Sequence, residues 1–106
     1  MPTLKEIFEQ MPVAFHRPSA EGLDKVIQFR ITGEGGGDWI AAIRGGELSV
    51  SEGTAESPNL TISATAKDYI DISTGALNEQ LAFMTGRITA RGDTLLAMKL
   101  PKIFRR

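Results

Sequence analysis

The spacing of apolar residues changes several times along the chain, and each change marks the boundary of a predicted element. Near the start, the apolar residues recur at helical intervals, at Leu4, Ile7, Phe8 and Met11. Thr3 and Glu6 have the spacing of a capping box, in which each side chain bonds to the backbone of the other residue. We therefore predict an amphipathic helix that ends near Pro12, because the residue before a proline disfavours helical geometry.

Four segments that alternate apolar and polar residues follow, which is the pattern of strands with one buried face. They cover residues 25–33, 39–44, 48–50 and 60–64. Glycine-rich turns separate the first three, so we predict a meander of strands. One face carries Ile27, Phe29, Ile31, Trp39, Ala41 and Ile43. The polar residues of the other face are predicted to meet water, and they are Gln28, Arg30, Thr32 and Arg44.

The last third of the chain predicts a helix, a strand and a second helix. Leu77, Leu81 and Met84 share one face of the first helix, and Phe83 widens that face. After Gly86, residues 87–91 alternate as a strand does, and Asp93 is placed to cap the final helix. That helix is apolar on nearly all sides, which indicates that core or ligand covers it. Its apolar residues are Leu95, Leu96, Ala97, Met98 and Leu100.

The order of these elements predicts an α+β fold. A short helix is also expected between Thr65 and Gly75, so the sum is a helix, four strands, two short helices, a fifth strand and a last helix. Strands joined by tight turns favour a five-stranded antiparallel sheet with helices packed on its apolar face. A length of 106 residues suits one domain, residues 1–106, with a hydrophobic core of its own.

Composition narrows the classes of function. Hydrophobic residues make up 42% and charged residues 24%, as in ordinary globular proteins, and no apolar run approaches the roughly 20 residues of a membrane span. A formal net charge of -1 argues against a nucleic-acid partner. The absence of cysteine excludes thiolate catalysis and fits a reducing compartment. Because the N-terminus also lacks the pattern of a signal peptide, we expect a cytoplasmic protein.

No residue pattern indicates catalysis, a metal or a cofactor. His16 is the single histidine, and without cysteine it has no partner for a typical metal site. The Gly-x-Gly run between Gly33 and Gly37 precedes a strand and not a helix, so it is read as a hairpin tip and not a phosphate cradle. We therefore expect no enzymatic activity.

One motif near the C-terminus resembles a known family. It runs Leu81-Ala82-Phe83-Met84-Thr85-Gly86-Arg87-Ile88, and Gly92-Asp93 and Leu96-Ala97-Met98-Lys99-Leu100 follow it. From about Lys25 to Ile103 the chain resembles the sterol carrier protein 2 family, and the N-terminal helix also fits. The final residues lack the peroxisomal tripeptide of eukaryotic members, so a small stand-alone member of prokaryotic type is expected.

The resemblance implies a fold and a function. The fold is a five-stranded antiparallel sheet with helices on one face, which enclose an apolar tunnel. The function is that of a carrier, which holds a fatty acid, a fatty acyl-CoA, a phospholipid or a sterol-like lipid and supports lipid transfer. The alternative is an accessory or assembly module of a lipid or isoprenoid-quinone biosynthetic complex.

The same resemblance yields a set of predicted lipid-contacting residues on the helices and on the covered face of the sheet. They are Phe8, Met11, Phe29, Trp39, Ile70, Leu81, Phe83, Met84, Met98, Leu100 and Ile103. Methionine suits such a site because its flexible side chain fills irregular space. Apolar residues at helical spacing are also ordinary core residues, so a filled core is the competing interpretation. The carrier hypothesis requires a hollow beneath the closing helices.

The C-terminal end is basic, with Lys99, Lys102, Arg105 and Arg106 close to the last helix. Cations are favourable at the C-terminal end of any helix. They could also attract an acyl-CoA phosphate or an anionic membrane, so a transient membrane contact through this end is a further hypothesis.

Overall fold

The computed structural model describes residues 2–104, and its elements confirm the predicted α+β class. The five strands are β1 (Lys25–Thr32), β2 (Gly37–Arg44), β3 (Glu47–Glu52), β4 (Leu60–Thr65) and β5 (Ile88–Gly92). The helices are α1 (Leu4–Glu9), α2 (Met11–Ala14), α3 (Ala66–Thr74), α4 (Glu79–Met84) and α5 (Thr94–Ile103), and a short 3-10 helix covers Arg17–Ala20.

The five strands form one sheet in the order β3-β2-β1-β4-β5. Three neighbouring pairs are antiparallel, but β1 and β4 run parallel, with Phe29 opposite Ile62. The sheet is therefore mixed, and the prediction of antiparallel pairing throughout is wrong for this one pair. The reason is that alternation along a strand shows which residues share a face, but not which strand lies beside it.

Two short helices replace the single N-terminal helix that the apolar spacing predicts. The capping box of α1 is confirmed, since the Thr3 hydroxyl accepts from the Glu6 amide at 3.2 Å and the Glu6 carboxylate accepts from the Thr3 amide at 3.1 Å. Pro12 lies in the first turn of α2. Proline is tolerated there because the amides of a first turn have no partner within the helix.

Four aromatic rings join α1 and α3 to the covered face of the sheet. The Phe8 ring is stacked on the rings of Trp39 and Tyr69, with centroids 4.9 Å and 5.4 Å away. It meets the Phe29 ring edge-on at 5.1 Å. Because all four residues are buried, this aromatic cluster is the centre of the hydrophobic core.

The opposite face of the sheet is partly covered by the chain segment that leads from β3 to β4. Gln28 is only 2% exposed there, so the prediction that it meets water is wrong. Its side-chain amide nitrogen donates to the Gly53 carbonyl at 3.0 Å and to the Trp39 carbonyl at 3.1 Å, and its oxygen accepts from the Ala55 amide at 2.6 Å. Gln28 therefore fixes the connecting segment against the sheet.

We expect Gln28→Leu to lower the free energy of unfolding by about 1–3 kcal/mol, because the change leaves buried backbone groups without their hydrogen bonds while keeping similar volume. Urea unfolding measures the loss. Arg30→Leu is the matched control, because Arg30 lies on the same face of β1 as Gln28 but is exposed. We expect it to change the free energy of unfolding by no more than about 0.5 kcal/mol. Equal stability of the Gln28 variant and the wild type would contradict the assigned role.

Helix α5 is attached to the rest of the fold at both ends. At its start, the Asp93 carboxylate accepts from the Leu96 amide at 3.0 Å and from the Lys25 ammonium at 2.9 Å. At its end, the Ile103 carbonyl accepts from the His16 amide, and the Phe104 ring lies 5.8 Å from that of Phe15. The ends of α5 are therefore fixed while its middle turns face a neighbouring helix.

The cap of α5 gives the stability a predictable dependence on pH. The hydrogen bond from Lys25, and then that from the Leu96 amide, hold the pKa of Asp93 below its ordinary value. The stability due to this carboxylate is therefore complete above the pKa of an unfolded-state Asp, about 3.9, and is lost as the pH falls through the lower folded-state pKa. In the Asp93→Asn variant, the free energy of unfolding measured with urea should therefore fall less than in the wild type as the pH is lowered.

Asp24→Asn is the control for that experiment. Asp24 is exposed, and its distance of 3.7 Å from the Arg44 guanidinium is longer than the 2.9 Å between Asp93 and Lys25. We expect this variant to follow the wild-type acid profile. If Asp93→Asn also follows it, the Asp93 cap contributes nothing that depends on ionisation.

Candidate functional site

An open groove separates the beginning of α4 from the middle of α5. Its volume is about 560 Å³, within the range of about 300–1,000 Å³ typical of small-molecule sites. It exists because α5 turns Leu96, Leu100 and Ile103 toward the core, so the small Ala97 is the least bulky of the α5 residues on the side of α4. The lining residues are Asn78, Glu79, Gln80, Phe83, Ala97, Met98 and Pro101.

Between the helices and the sheet lies a small, partly open void that shares residues with this groove. Its volume is about 40 Å³, little more than the space that one water molecule takes in the liquid, about 30 Å³. Its lining comes from the helices, β1, β4 and β5, and consists of Met11, Phe29, Ile62, Tyr69, Ile72, Glu79, Phe83, Ile88, Leu100 and Phe104. The space beneath the closing helices is therefore nearly filled by side chains, and the hollow that a carrier requires stays a prediction.

Two residues belong to both spaces. Phe83 and Glu79 line the open groove and also the void. Phe83 is 38% exposed, so it is partly covered by the fold and partly in contact with solvent. Phe83 is therefore an apolar side chain common to both walls.

A second open groove lies on the other side of the void, between α1, α2 and the end of α3. Its volume is about 300 Å³, and it shares Met11 and Phe104 with the void. The void therefore shares two lining residues with each of the two open grooves.

Several predicted lipid-contacting residues meet at these spaces. Met11, Phe29, Phe83 and Leu100 line the void, and Met98 lines the groove. Phe8, Trp39 and Ile103 are buried in the core and line neither the groove nor the void. Ile70 is half-buried and also lines neither of them.

The expectation that Leu81 and Met84 lie on a covered face of α4 is wrong. They are 55% and 81% exposed and line neither the groove nor the void. The physical reason is that α4 has only six residues and buries Ala82 alone, so the small residue and not the larger apolar ones faces the sheet.

Sequence reasoning missed part of the lining. Ile62 and Ile88 lie on strands, and their alternation indicates the covered face, so they could have been included. The polar residues at the beginning of α4 gave no such signal, because a site defined by apolar character excludes them. Those polar lining residues are Asn78, Glu79 and Gln80.

A third depression, of about 680 Å³, is larger than the groove but differs in chemistry. It lies at the 3-10 helix and the β2–β3 turn, where Arg17, Glu21, Asp24 and Arg44 line it together with glycines. It shares no lining residue with the void. The groove between α4 and α5 is the better candidate, because its walls are mainly apolar and it continues toward an interior space.

Outside the groove, His16 contacts a residue that is close to it in sequence. The Nδ1 atom of His16 is 2.7 Å from the Ser19 hydroxyl, within one turn of chain. Among residues 2–104, no three histidine or acidic side chains are grouped so that they could hold a metal ion. None of the helices in that range is long and apolar enough to cross a bilayer.

Exposed cations and exposed apolar side chains alternate on the outer side of α5. Leu95 and Met98 are 70% and 76% exposed, and Lys99 and Lys102 are exposed beside them along the helix. Arg105 and Arg106, which complete the predicted basic C-terminus, lie outside the described residues. Residues 80–106 contain six basic residues and one acidic residue, whereas residues 1–79 contain six basic and twelve acidic ones.

A mixed sheet covered on one face by helices, with an apolar groove that continues toward its interior, defines a small lipid-binding α+β domain. The chain belongs to the SCP-2 sterol transfer family, whose model matches residues 4–105. Domains of this family are generally carriers without catalytic activity.

The chain is similar to one part of a larger protein. It is 29% identical over 101 residues to hydroxysteroid dehydrogenase-like protein 2 from Xenopus tropicalis, which covers 94% of this chain and 24% of the relative. The chain thus spans about a quarter of the length of that curated relative. The dehydrogenase name describes the whole, longer protein.

Two solved structures share the fold. The solution structure of palmitated SCP2L2 from Aedes aegypti has a TM-score of 0.77 and 25% identity, covering 99% of this chain and 96% of its own. The ubiquinone synthesis protein UbiJ-SCP2 has a TM-score of 0.60 and 17% identity, covering 87% of this chain and 75% of its own. At that identity the second likeness concerns the fold alone.

Proposed function

We propose that this chain is a non-enzymatic lipid carrier that holds one fatty acyl chain between α4, α5 and the sheet. The observation that supports this most directly is that Phe83 and Glu79 line both the open groove and the mostly apolar void beneath the helices. The ligands considered are a fatty acid, a fatty acyl-CoA, a phospholipid and a sterol-like lipid. A single domain over residues 1–106 and a cytoplasmic location remain predictions of the sequence.

Binding requires the void to widen. A void of about 40 Å³ cannot hold an acyl chain, so the chain first lies in the groove and then displaces Phe83. Helix α4 can move at small cost because its one buried residue is Ala82. Met11 and Leu100 can adjust as the tail advances, since unbranched or flexible side chains repack more easily than rings.

Apolar contact is the main source of binding free energy in this proposal. A dozen buried methylenes at about 0.8 kcal/mol each contribute roughly 10 kcal/mol before the costs of ordering the lipid and the helices. A micromolar dissociation constant corresponds to about 8.2 kcal/mol. The gross apolar contribution therefore has the size that lipid binding requires before those costs are subtracted.

Native mass spectrometry of the protein as purified tests the proposal. We expect a stoichiometric lipid, which delipidation removes, and saturable binding of a fluorescent fatty acid that an unlabelled long-chain lipid displaces. A protein that carries no lipid and binds no probe after delipidation would contradict the carrier function.

We also propose that the outer side of α5 contacts anionic membranes during lipid transfer. Exposed Leu95 and Met98 could enter the headgroup boundary, while Lys99 and Lys102 attract acidic lipids. Transfer between vesicles should be faster when acceptor vesicles contain anionic lipid, and salt should reduce that difference.

Neutralising Lys99, Lys102, Arg105 and Arg106 together tests the membrane contact. We expect the dependence on anionic lipid to disappear while lipid affinity stays unchanged. Neutralising Lys5 and Lys67, which are exposed on α1 and at the start of α3, is the control and should have little effect. An unchanged transfer rate in the first variant would contradict the membrane contact.

The second candidate function is that of an accessory or assembly module in a lipid or isoprenoid-quinone biosynthetic complex. Exposed Leu81 and Met84, which line neither the groove nor the void, favour it because they could meet a protein partner. Changing both to serine should leave lipid binding intact if the chain is a carrier. Absence of lipid binding in the wild type would favour the module.

A further inference from the structure

One charged side chain stands in the wall of the groove. Of the seven described residues that line it, only Glu79 carries a charge, and none is basic. Glu79 makes no ion pair with any residue between positions 2 and 104. Glu79 is exposed and also lines the void, so it is one of the two residues that the groove and the void share.

The other polar groups of the groove include hydrogen-bond acceptors. Asn78 and Gln80 contribute side-chain amides beside Glu79. In α5, Pro101 has no amide hydrogen, so the Ala97 carbonyl lacks the bond that the residue four positions later normally provides. Ala97 and Pro101 both line the groove. The Asn78 oxygen already accepts from the Leu81 amide at 3.1 Å. The acceptors left in the described walls are therefore mainly the Glu79 carboxylate and the Ala97 carbonyl, and these walls hold no cation.

From this arrangement we infer that the site selects lipids with an uncharged head group that donates a hydrogen bond, and disfavours lipids with an anionic head group. The inference rests on the proposed carrier function. Because the lining of the void is mostly apolar, the tail enters it once Phe83 is displaced, and the head group stays in the groove beside Glu79. A hydroxyl can donate to that carboxylate, whereas a carboxylate or phosphate is repelled by it.

The nearby lysines do not line the groove. Lys99 points away from Ala97 and Pro101 by the helical repeat, and Lys102 lies one turn beyond Met98 at the edge of the groove. Glu79 also lies in the first turn of α4, where an acidic residue stabilises a helix. Stabilising the helix affects the binding of charged and uncharged ligands equally. The ratio of the two affinities therefore distinguishes selection of the head group by Glu79 from stabilisation of α4 by Glu79.

The test compares two ligands with the same chain, dodecanol and dodecanoate, as competitors of an uncharged fluorescent probe such as Nile red. The measured quantity is the ratio of the two affinities. Any apolar site prefers the alcohol to some degree, so the informative result is the change in that ratio. We expect Glu79→Gln to reduce the preference for dodecanol by about five- to tenfold, as removal of one nearby charge implies, and Glu79→Lys to reduce it further.

Glu47→Gln is the matched control, because Glu47 is exposed on β3 and lines neither space. We expect its affinity ratio to equal that of the wild type. An unchanged ratio in both Glu79 variants would overturn the inference while leaving the carrier function intact. Failure of both ligands to displace the probe from the wild type would overturn the carrier function itself.

Discussion

Replacing Ala97 with tryptophan is expected to lower the affinity for a long-chain lipid at least tenfold, about 1.4 kcal/mol, while the protein stays folded. Ala97 is half-buried on the side of α5 that faces α4, and it lines the groove but not the void. An indole at this position fills groove space through which the acyl chain would pass to reach the void. Displacement of a fluorescent fatty acid measures the affinity, and urea unfolding reports the fold.

Leu95→Trp is the matched control for this experiment. It places the same ring on the same helix, but at an exposed position outside the groove. We expect its lipid affinity to equal that of the wild type. If Ala97→Trp binds lipid as well as Leu95→Trp does, the acyl chain does not occupy the groove between α4 and α5.

Phe8→Ala is expected to lower the free energy of unfolding by about 3–5 kcal/mol. Phe8 is fully buried, and its ring contacts those of Trp39, Tyr69 and Phe29. The change removes a ring that α1 contributes to the centre of the aromatic cluster and leaves a cavity there. Thermal unfolding should show a midpoint lower by roughly 12 °C or more, since each kcal/mol shifts it by about 4 °C or more in a domain of this size.

Val13→Ala provides the comparison for the Phe8 variant. Val13 is 81% exposed, and its truncation should alter the unfolding free energy by no more than about 0.5 kcal/mol. A small effect in both variants would mean that α1 is not held on the sheet by the aromatic cluster.

The order of elements was predictable because each one uses a spacing that its own geometry imposes. Ile27, Phe29 and Ile31 alternate because a strand directs every second side chain to the same face. Thr3, Asp93 and Gly75 mark helix ends for equally local reasons, and all three do so in the structure. These signals act over a few residues, so the sequence displays them directly.

The remaining features of the fold depend on contacts between distant residues. Nothing in the residues of β1 specifies that β4 lies parallel beside it. Gln28 has the polar character of a solvent-facing residue, and only the position of the segment that includes Gly53 and Ala55 shows that it is buried. Such features follow from how the chain crosses the sheet, which local spacing does not encode.

The candidate site was predictable to the extent that apolar character defines it. Met11, Phe29, Phe83 and Leu100 were predicted and do line the void. Periodicity misplaced Met84, because a helix of six residues can bury a small side chain and expose its larger ones. Glu79 escaped prediction because a single acidic residue at the start of a helix usually has only a structural role.

Photolabelling with a fatty alcohol that carries a diazirine near the end of its chain tests the central claim most directly, because it reports both binding and place. We predict one label per chain, prevented by excess unlabelled lipid, on peptides that contain Phe83, Leu100 or Phe104, which line the void. Absence of competed labelling, or labelling confined to the depression at Arg17 and Arg44, would contradict the claim that an acyl chain binds between the helices and the sheet.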